Sequence, residues 1–180
     1  MKYYLLVILF CFCVSARSQQ IESDETLFRY AEAYKEALYE DNLVIVAMGS
    51  SEAAKLAKEK ISKLDRLRLE QYDLIIKYYP SSEHYPEALF EKGLLHYNFN
   101  EIEEARKALL QLIGLPIEAN GTKHEAILTL AELEAENSNC EAANEYLAIL
   151  PKYRRLYSCG NDWQREQWKI AHINAKCCEP

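Results

Sequence analysis

Glycine and proline are scarce in this chain of 180 residues, which contains five of each. The glycines lie far apart, so no glycine-rich loop that could hold a phosphate or a dinucleotide is present. The sequence also lacks a Gly-x-Ser-x-Gly elbow and a His-Glu-x-x-His pair. His84, His96 and His124 stand isolated from one another. These absences predict a protein that is not an enzyme and that needs no cofactor.

Long runs that alternate polar and apolar residues are also missing, which disfavours a β-sheet. Basic residues are in the minority, because 21 Lys and Arg stand against 28 Asp and Glu, for a net charge of −7. No basic stripe with interleaved aromatic residues appears, and a chain this acidic is repelled by phosphates. We therefore exclude nucleic acids and anionic lipid surfaces as partners.

The N-terminus, MKYYLLVILFCFCVSARSQQ, has the form of a secretory signal peptide. Its apolar stretch of about a dozen residues is shorter than the roughly 20 that a membrane-spanning helix needs. We predict a signal peptide over residues 1–18, with a buried N-terminal helix as the alternative. Cleavage removes Lys2 and Arg17 and no acid, which takes the net charge from −7 to −9. The mature chain is then exported and does not insert into the membrane.

The remaining sequence is typical of helices, with apolar residues at spacings of three and four. The pattern predicts a first helix over residues 24–39, ended by Asp41-Asn42, and a second over residues 52–78. Gly49 is interpreted as a helix stop, and Ser50 or Ser51 as the cap of the second helix. That helix ends before Pro80.

The segment that follows predicts a helix–turn–helix hairpin. Its helices span residues 86–97 and 101–113, and the polar residues 98–100 form the turn between them. Gly93 and Ala105 are small, so we expect the two helices to approach closely at these positions.

The hairpin recurs 38 residues later. At this offset Gly93 corresponds to Ala131, Ala105 to Ala143, and the turn to residues 136–138. An extended connector, GLPIEANGTKH, separates the two copies. We interpret Asn120-Gly121-Thr122 within it as a turn rather than as a glycosylation site.

These residues resemble the tetratricopeptide repeat, whose pattern spaces bulky apolar, small and aromatic residues around a turn and ends in a proline. The matching residues are Leu89, Gly93, Tyr97, Asn100, Ala105, Leu109 and Pro116. The stretch YYPSSEHYPEALFEKGLLHY is similar to repeats of periplasmic proteins in outer-membrane assembly and Tol-Pal coordination. The resemblance covers residues 68–151. It implies an all-α fold, namely a short right-handed solenoid of helical hairpins with a C-terminal capping helix.

This resemblance divides the chain into four parts. Residues 1–18 are the signal peptide, residues 19–80 are N-terminal helices for which a divergent repeat is one interpretation, residues 81–151 are two repeat hairpins, and residues 152–180 are a cysteine-containing cap. The implied function is a non-enzymatic interaction module of the cell envelope, placed in the periplasm. Such repeats bind a peptide or a partner helix. The pattern sets no oligomeric state.

In that family the first helix of each hairpin lines a concave groove that holds the partner. The matching positions here are Glu87, Phe90, Glu91, Leu94, Tyr97, Asn98, Glu125, Leu128, Thr129 and Glu132. This surface is acidic with apolar islands, so we expect a partner with basic and apolar residues. The alternative is that the glutamates form a solvated helix face and that Phe90 and Leu94 pack under the preceding long helix.

Four of the six cysteines follow the signal peptide, namely Cys140, Cys159, Cys177 and Cys178. An even number in an exported chain predicts disulfides, with Cys140 and Cys159 each bonded to one of the adjacent pair. Such bonds would fasten a helix over residues 162–176 onto the last hairpin.

Two alternatives for these cysteines stay open. One is a metal or thiol-redox site in a small secreted protein, using Cys159, Cys177, Cys178 and His172. The other is free thiols. No Cys-x-x-Cys spacing occurs, so we predict no metal site.

Overall fold

The computed structural model describes residues 22–48, 51–118, 120–153 and 160–178, with the backbone alone at positions 39–48, 120 and 178. These residues form seven α-helices and one 3₁₀ turn and contain no strand, which confirms the all-α prediction. The predicted signal peptide lies outside them. The helices are α1 (Asp24–Met48), α2 (Glu52–Tyr78), α3 (Tyr85–Asn98), α4 (Ile102–Ile113), α5 (Asn120–Glu136), α6 (Cys140–Ile149) and α7 (Gly160–Cys178), with the 3₁₀ turn at Leu150–Lys152. None of the helices found in the described ranges is long and apolar enough to cross a membrane.

The first six helices pair as three antiparallel hairpins. The second helix of each hairpin then packs against the first helix of the next one, and α7 packs mainly on α5. The first hairpin is the longest, with 25 and 27 residues in its helices against 14 and 12 in the second hairpin.

The bounds of α2 agree with the prediction, and the end of α1 does not. Ser51 caps α2, and its hydroxyl accepts a hydrogen bond from the Ala54 N–H at 3.3 Å. In α1 the helix continues through Asp41-Asn42 to Met48, so the predicted break there is wrong. Asp and Asn each disfavour a helix interior by less than about 1 kcal/mol, which is too little for these two residues alone to end a long helix.

The turns of the second and third hairpins share one backbone geometry. The second residue after the helix, Asn100 after α3 and Ser138 after α5, has a φ of 60°, and these two residues lie 38 positions apart. In both turns the next N–H donates to the carbonyl five residues earlier, at 2.8 Å. This is the hydrogen-bond pattern of a helix ended by a left-handed residue. The sequence repeat of 38 residues is therefore also a structural repeat at these turns.

The connector between these hairpins is shorter than predicted. Asn120-Gly121-Thr122 begins α5, so their interpretation as a turn is wrong. The first N–H groups of a helix need no acceptor within it, and Asn and Gly are therefore tolerated at this end.

The apolar core consists of three clusters that follow the chain order. The first joins α1 and α2 to α3 through Leu27, Ala31, Leu69, Tyr72, Ile75, Ala88 and Leu95. The second joins α3 and α4 to α5 through Leu89, Leu109, Leu112, Ala126 and Leu130. The third joins α5 and α6 to α7 through Ile127, Leu128, Ala131, Ala135, Ala143, Leu150 and Ile173. Each hairpin therefore buries the apolar side of its neighbour.

Gly93 is where α3 and α4 approach closely. A Cβ atom added there would lie 2.6 Å from Cδ2 of Leu109, so the side chain of Leu109 fills the space beside Gly93. Leu109 is fully buried, and it has no room to move away.

We expect Gly93→Ala to lower the free energy of unfolding by about 1–2 kcal/mol, because the clash with Leu109 outweighs the better helix propensity of alanine. Gly121→Ala is the matched control, since an added Cβ there meets nothing within 4 Å. It should raise the free energy of unfolding by about 0.5 kcal/mol. Urea unfolding followed by circular dichroism measures both, and an equal effect of the two variants would contradict the close approach.

Candidate interaction face

The helices α1, α3, α5 and α7 are linked in this order by polar contacts, and we call the surface that they form the first-helix face. Lys35 of α1 donates to Glu91 of α3 at 2.7 Å. The Tyr97 hydroxyl at the end of α3 donates to Glu136 at the end of α5. These contacts place the predicted groove positions of α3 next to those of α5.

Glu91 is buried in an ion cluster between the first two hairpins. Its carboxylate accepts from Lys35 at 2.7 Å and from Arg68 of α2 at 2.6 Å, and Arg68 also donates to Asp65 at 2.8 Å. Glu91 is 6% exposed. Removing one member of such a cluster leaves a buried charge unpaired. Glu91 therefore holds the hairpins together and is closed to a partner.

Glu87 lies one turn before Glu91 and is half-buried. Its burial, and then the charge of Glu91, raise the pKa of the Glu87 carboxyl above its usual value. The charge of Lys35 offsets these effects only in part, and a further cation beside this carboxylate would lower the pKa again. Glu87 is therefore the position of the predicted groove on α3 that most favours a basic group.

The other predicted positions of α3 differ in exposure. Phe90 is half-buried and packs at the edge of the second core cluster, between hairpins. Leu94 and Tyr97 are half-buried and Asn98 is exposed. Burial, and then the hydrogen bond to Glu136, raise the pKa of the Tyr97 hydroxyl, so the phenol stays protonated and donates.

The predicted positions of α5 are partly covered by α7. Leu128 and Thr129 are 2% and 3% exposed, so neither side chain is open to a partner. Glu132 accepts from Lys169 of α7 at 2.8 Å. The repeat pattern predicted a groove at these positions. It contains no information about α7, which covers Leu128 and Glu132 in the structure. Glu125 stays half-buried at the edge of this contact.

A buried His–Glu pair fixes the first half of α7. Nε2 of His124 lies 2.9 Å from Oε2 of Glu166, and its Nδ1 lies 2.6 Å from the carbonyl oxygen of Tyr153. Both side chains are 6% exposed. Both ring nitrogens of His124 therefore have a partner, one on α7 and the other at the end of the 3₁₀ turn.

The packing face of α7 consists of Glu166, Ile170, Ile173 and Cys177, at spacings of four, three and four. Trp163 and Trp168 of the same helix are 51% and 76% exposed and lie outside this face. The helical spacing of Glu166 with the two isoleucines was the sequence signal for this face. We missed Glu166 because a glutamate is rarely buried unless it is paired.

An open cleft of about 170 Å³ remains between α5 and α7. It is lined by Glu125, Leu128, Asp162, Arg165, Glu166 and Lys169. Sites for drug-sized molecules measure about 300–1,000 Å³. The cleft is therefore large enough for one side chain of a partner rather than for a small-molecule ligand.

A disulfide between Cys140 and Cys177 joins α6 to α7, with the Cα atoms 5.2 Å apart. This agrees with the prediction that Cys140 pairs with one of the adjacent cysteines. Cys159 and the Cys178 side chain lie outside the described residues, so the second predicted bond does as well. A disulfide-bonded Cys177 is not a thiolate ligand, which removes it from the alternative metal site. In the part of the chain that the structure describes, no group of three His, Cys, Asp or Glu residues is arranged to hold a metal.

Comparisons of the chain with protein-family models, with curated proteins and with solved structures found no match. The functional inference therefore depends on the first-helix face and on the repeat pattern of the sequence.

We expect Cys140→Ser to lower the free energy of unfolding by about 4 kcal/mol, the value for the loop closed by this bond in a chain-entropy estimate. The sequence separation of the two cysteines is 37. Unfolding of the oxidised wild type and the variant measures the difference. The reduced wild type should match the variant, and a variant as stable as the oxidised protein would contradict a structural role for the bond.

Glu166→Ala should lower the free energy of unfolding by about 1–3 kcal/mol, because it leaves Nε2 of the buried His124 side chain without its hydrogen-bond partner. Glu118→Ala is the control, since Glu118 is exposed in the connector and its loss should change stability by less than about 0.5 kcal/mol. Thermal and urea unfolding test this pair of variants. Equal stabilities would show that the buried pair does not hold α7.

Proposed function

We propose that this chain is an exported, non-enzymatic interaction module of the tetratricopeptide-repeat type that acts in the cell envelope, in the periplasm. It binds a peptide or a partner helix on its first-helix face. The observation that carries this proposal is the pair of hairpins with the same turn geometry 38 residues apart. Their first helices adjoin, as a repeat array requires.

The part of the face that is open to a partner lies mainly on α3 and in the cleft beside α7. Leu94, Tyr97 and Asn98 are half-buried or exposed there, and Glu87 favours a neighbouring cation. A partner with a basic side chain beside Glu87 and an apolar one against Leu94 fits this surface.

Only part of this surface can contact a partner, because several of its acidic groups are already paired within the chain. Glu91 is paired with Lys35 and Arg68, and Glu132 with Lys169. The free energy of binding is the free energy of the contacts less the cost of ordering the partner. We therefore expect binding in the micromolar range or weaker, with one partner side chain anchored in the cleft.

Photo-crosslinking in the native host tests this function. A photoreactive residue in place of Leu94 should capture an envelope protein, because Leu94 lies on the open part of the first-helix face. The matched control is Leu110, a leucine of α4 that is 43% exposed. Capture from position 94 alone supports the proposed face. Capture of nothing, or equal capture from both positions, would contradict it.

A further inference from the structure

The helix α7 has two rows of residues with the same spacing on opposite sides. The covered row is its packing face, Glu166, Ile170, Ile173 and Cys177. A second row begins two positions earlier, again at spacings of four, three and four, and consists of Gln164, Trp168, Ala171 and Ala175. Two positions turn a helix by about 200°, so the second row lies on the side away from the packing face. We call this second row the Trp168 face.

The Trp168 face is open to solvent. All four of its residues are exposed, and Trp168 is 76% exposed. The outer face of the last helix in a repeat stack is normally polar, which keeps the end of the stack soluble. A tryptophan there leaves a large apolar surface in water. Since the spacing of the row is that of helices that pack side by side, the Trp168 face has the form of a second packing face.

Charged residues are absent from the side of α7 that bears the Trp168 face. The helix has five of them among 19 residues, close to the 27% of the whole chain, so they are not scarce. They lie within about 100° of the helix circumference, and they are Asp162, Arg165, Glu166, Lys169 and Lys176. The exposed residues on the other side, with histidine counted as neutral, are Asn161, Gln164, Gln167, Trp168, Ala171, His172, Asn174 and Ala175. An aromatic residue in a surface depleted of charge is typical of the centre of a protein interface.

The basic residues beside this surface already have partners within the chain. Arg165 pairs with Asp162. Lys169 pairs with Glu132 at 2.8 Å, and Lys176 lies 3.9 Å from Glu136. The net charge of −7 is carried by the rest of the chain, because α7 has three basic and two acidic residues. Two acidic copies can therefore meet at this side of α7 without placing unpaired charges against each other.

The Trp168 face is complementary to an inverted copy of itself. In an antiparallel pair of α7 helices whose twofold axis passes midway between positions 168 and 171, Trp168 of each copy faces Ala171 of the other. Gln164 then faces Ala175. A large side chain opposite a small one fills the space between two helices, whereas a parallel pair in register places the two tryptophans against each other. The order of large and small residues therefore favours a second copy of this chain in antiparallel orientation.

We propose that the Trp168 face is a self-association surface, on which two copies of this chain pack their α7 helices antiparallel. The contact is isologous, so each residue of the face is used twice. The face is about 16 Å long. Because an interface of this size is small, we expect a dimer of micromolar affinity. Trp168 is not among the residues that line the cleft beside α5, so the contact stands or fails independently of the function proposed above.

Sedimentation equilibrium of the purified protein tests the proposal. At about 100 µM, where a complex of micromolar affinity forms, the wild type should have the mass of two chains. Trp168→Ala should raise the dissociation constant of the dimer about tenfold or more, because a tryptophan at the centre of an interface carries much of its binding free energy. Trp163→Ala is the matched control and should leave the dimer unchanged, since Trp163 is exposed on the same helix but lies outside the Trp168 face. A wild type that is monomeric at this concentration would overturn the proposal, as would a dimer that Trp168→Ala leaves intact.

An exchange of the large and the small residue tests the antiparallel arrangement. Ala171→Trp alone places two tryptophans opposite each other and should weaken the dimer about tenfold. The double variant Trp168→Ala/Ala171→Trp again has one large and one small residue at each facing position, so its dissociation constant should return close to the wild-type value. A double variant that is as monomeric as Trp168→Ala would contradict the antiparallel contact.

The fluorescence of Trp168 gives a second readout. The chain has two tryptophans, so Trp168 is the one that remains in Trp163→Phe. Its emission should shift to shorter wavelength as the protein concentration rises through the dissociation constant, because the dimer removes the indole from water. A protein that stays monomeric and shows this shift only with phosphatidylglycerol vesicles would overturn the proposal in favour of a membrane surface.

Discussion

Every hairpin in this protein depends on a neighbour to bury its apolar side. The three core clusters lie between successive elements, and the described residues share no single interior. Such a stack has two ends, and each end leaves an apolar face that must be covered or remain exposed. At the C-terminal end α7 provides the cover, through Ile170 and Ile173, a buried His–Glu pair and a disulfide. The position of α7 therefore decides how much of the first-helix face is open to a partner.

Basic residues of α1, α2 and α7 partly neutralise the acidic face that was expected from the repeat pattern. Lys169 neutralises Glu132, while Lys35 and Arg68 neutralise Glu91. What remains open lies on α3, where Glu87 and Leu94 are half-buried and Asn98 is exposed. The side of α7 opposite its packing face carries no charged residue, and Trp168 is exposed there.

Features set by a few neighbouring residues could be predicted well. Ser51 caps α2 because its hydroxyl is placed three residues before the N–H that it accepts, and the hairpin turns recur because both end a helix at the same register. The break at Asp41-Asn42 and the turn at Asn120-Gly121 were predicted wrongly for the same reason. Local propensities of less than about 1 kcal/mol per residue are too small to end a long helix or to exclude these residues from its first turn.

The sequence by itself determined the helical class, the 38-residue repeat of the hairpin and the pairing of Cys140 with the C-terminal cysteines, since spacing and composition carry these. Only the tertiary structure decided which of the predicted groove residues are open. Leu128 is buried in a cluster with Ile173 of α7 and Glu91 is paired with Lys35 of α1, so helices distant in the chain close both positions. His124 and Glu166 are 42 positions apart. No local pattern records such a contact, because burial depends on which surfaces the whole chain brings together.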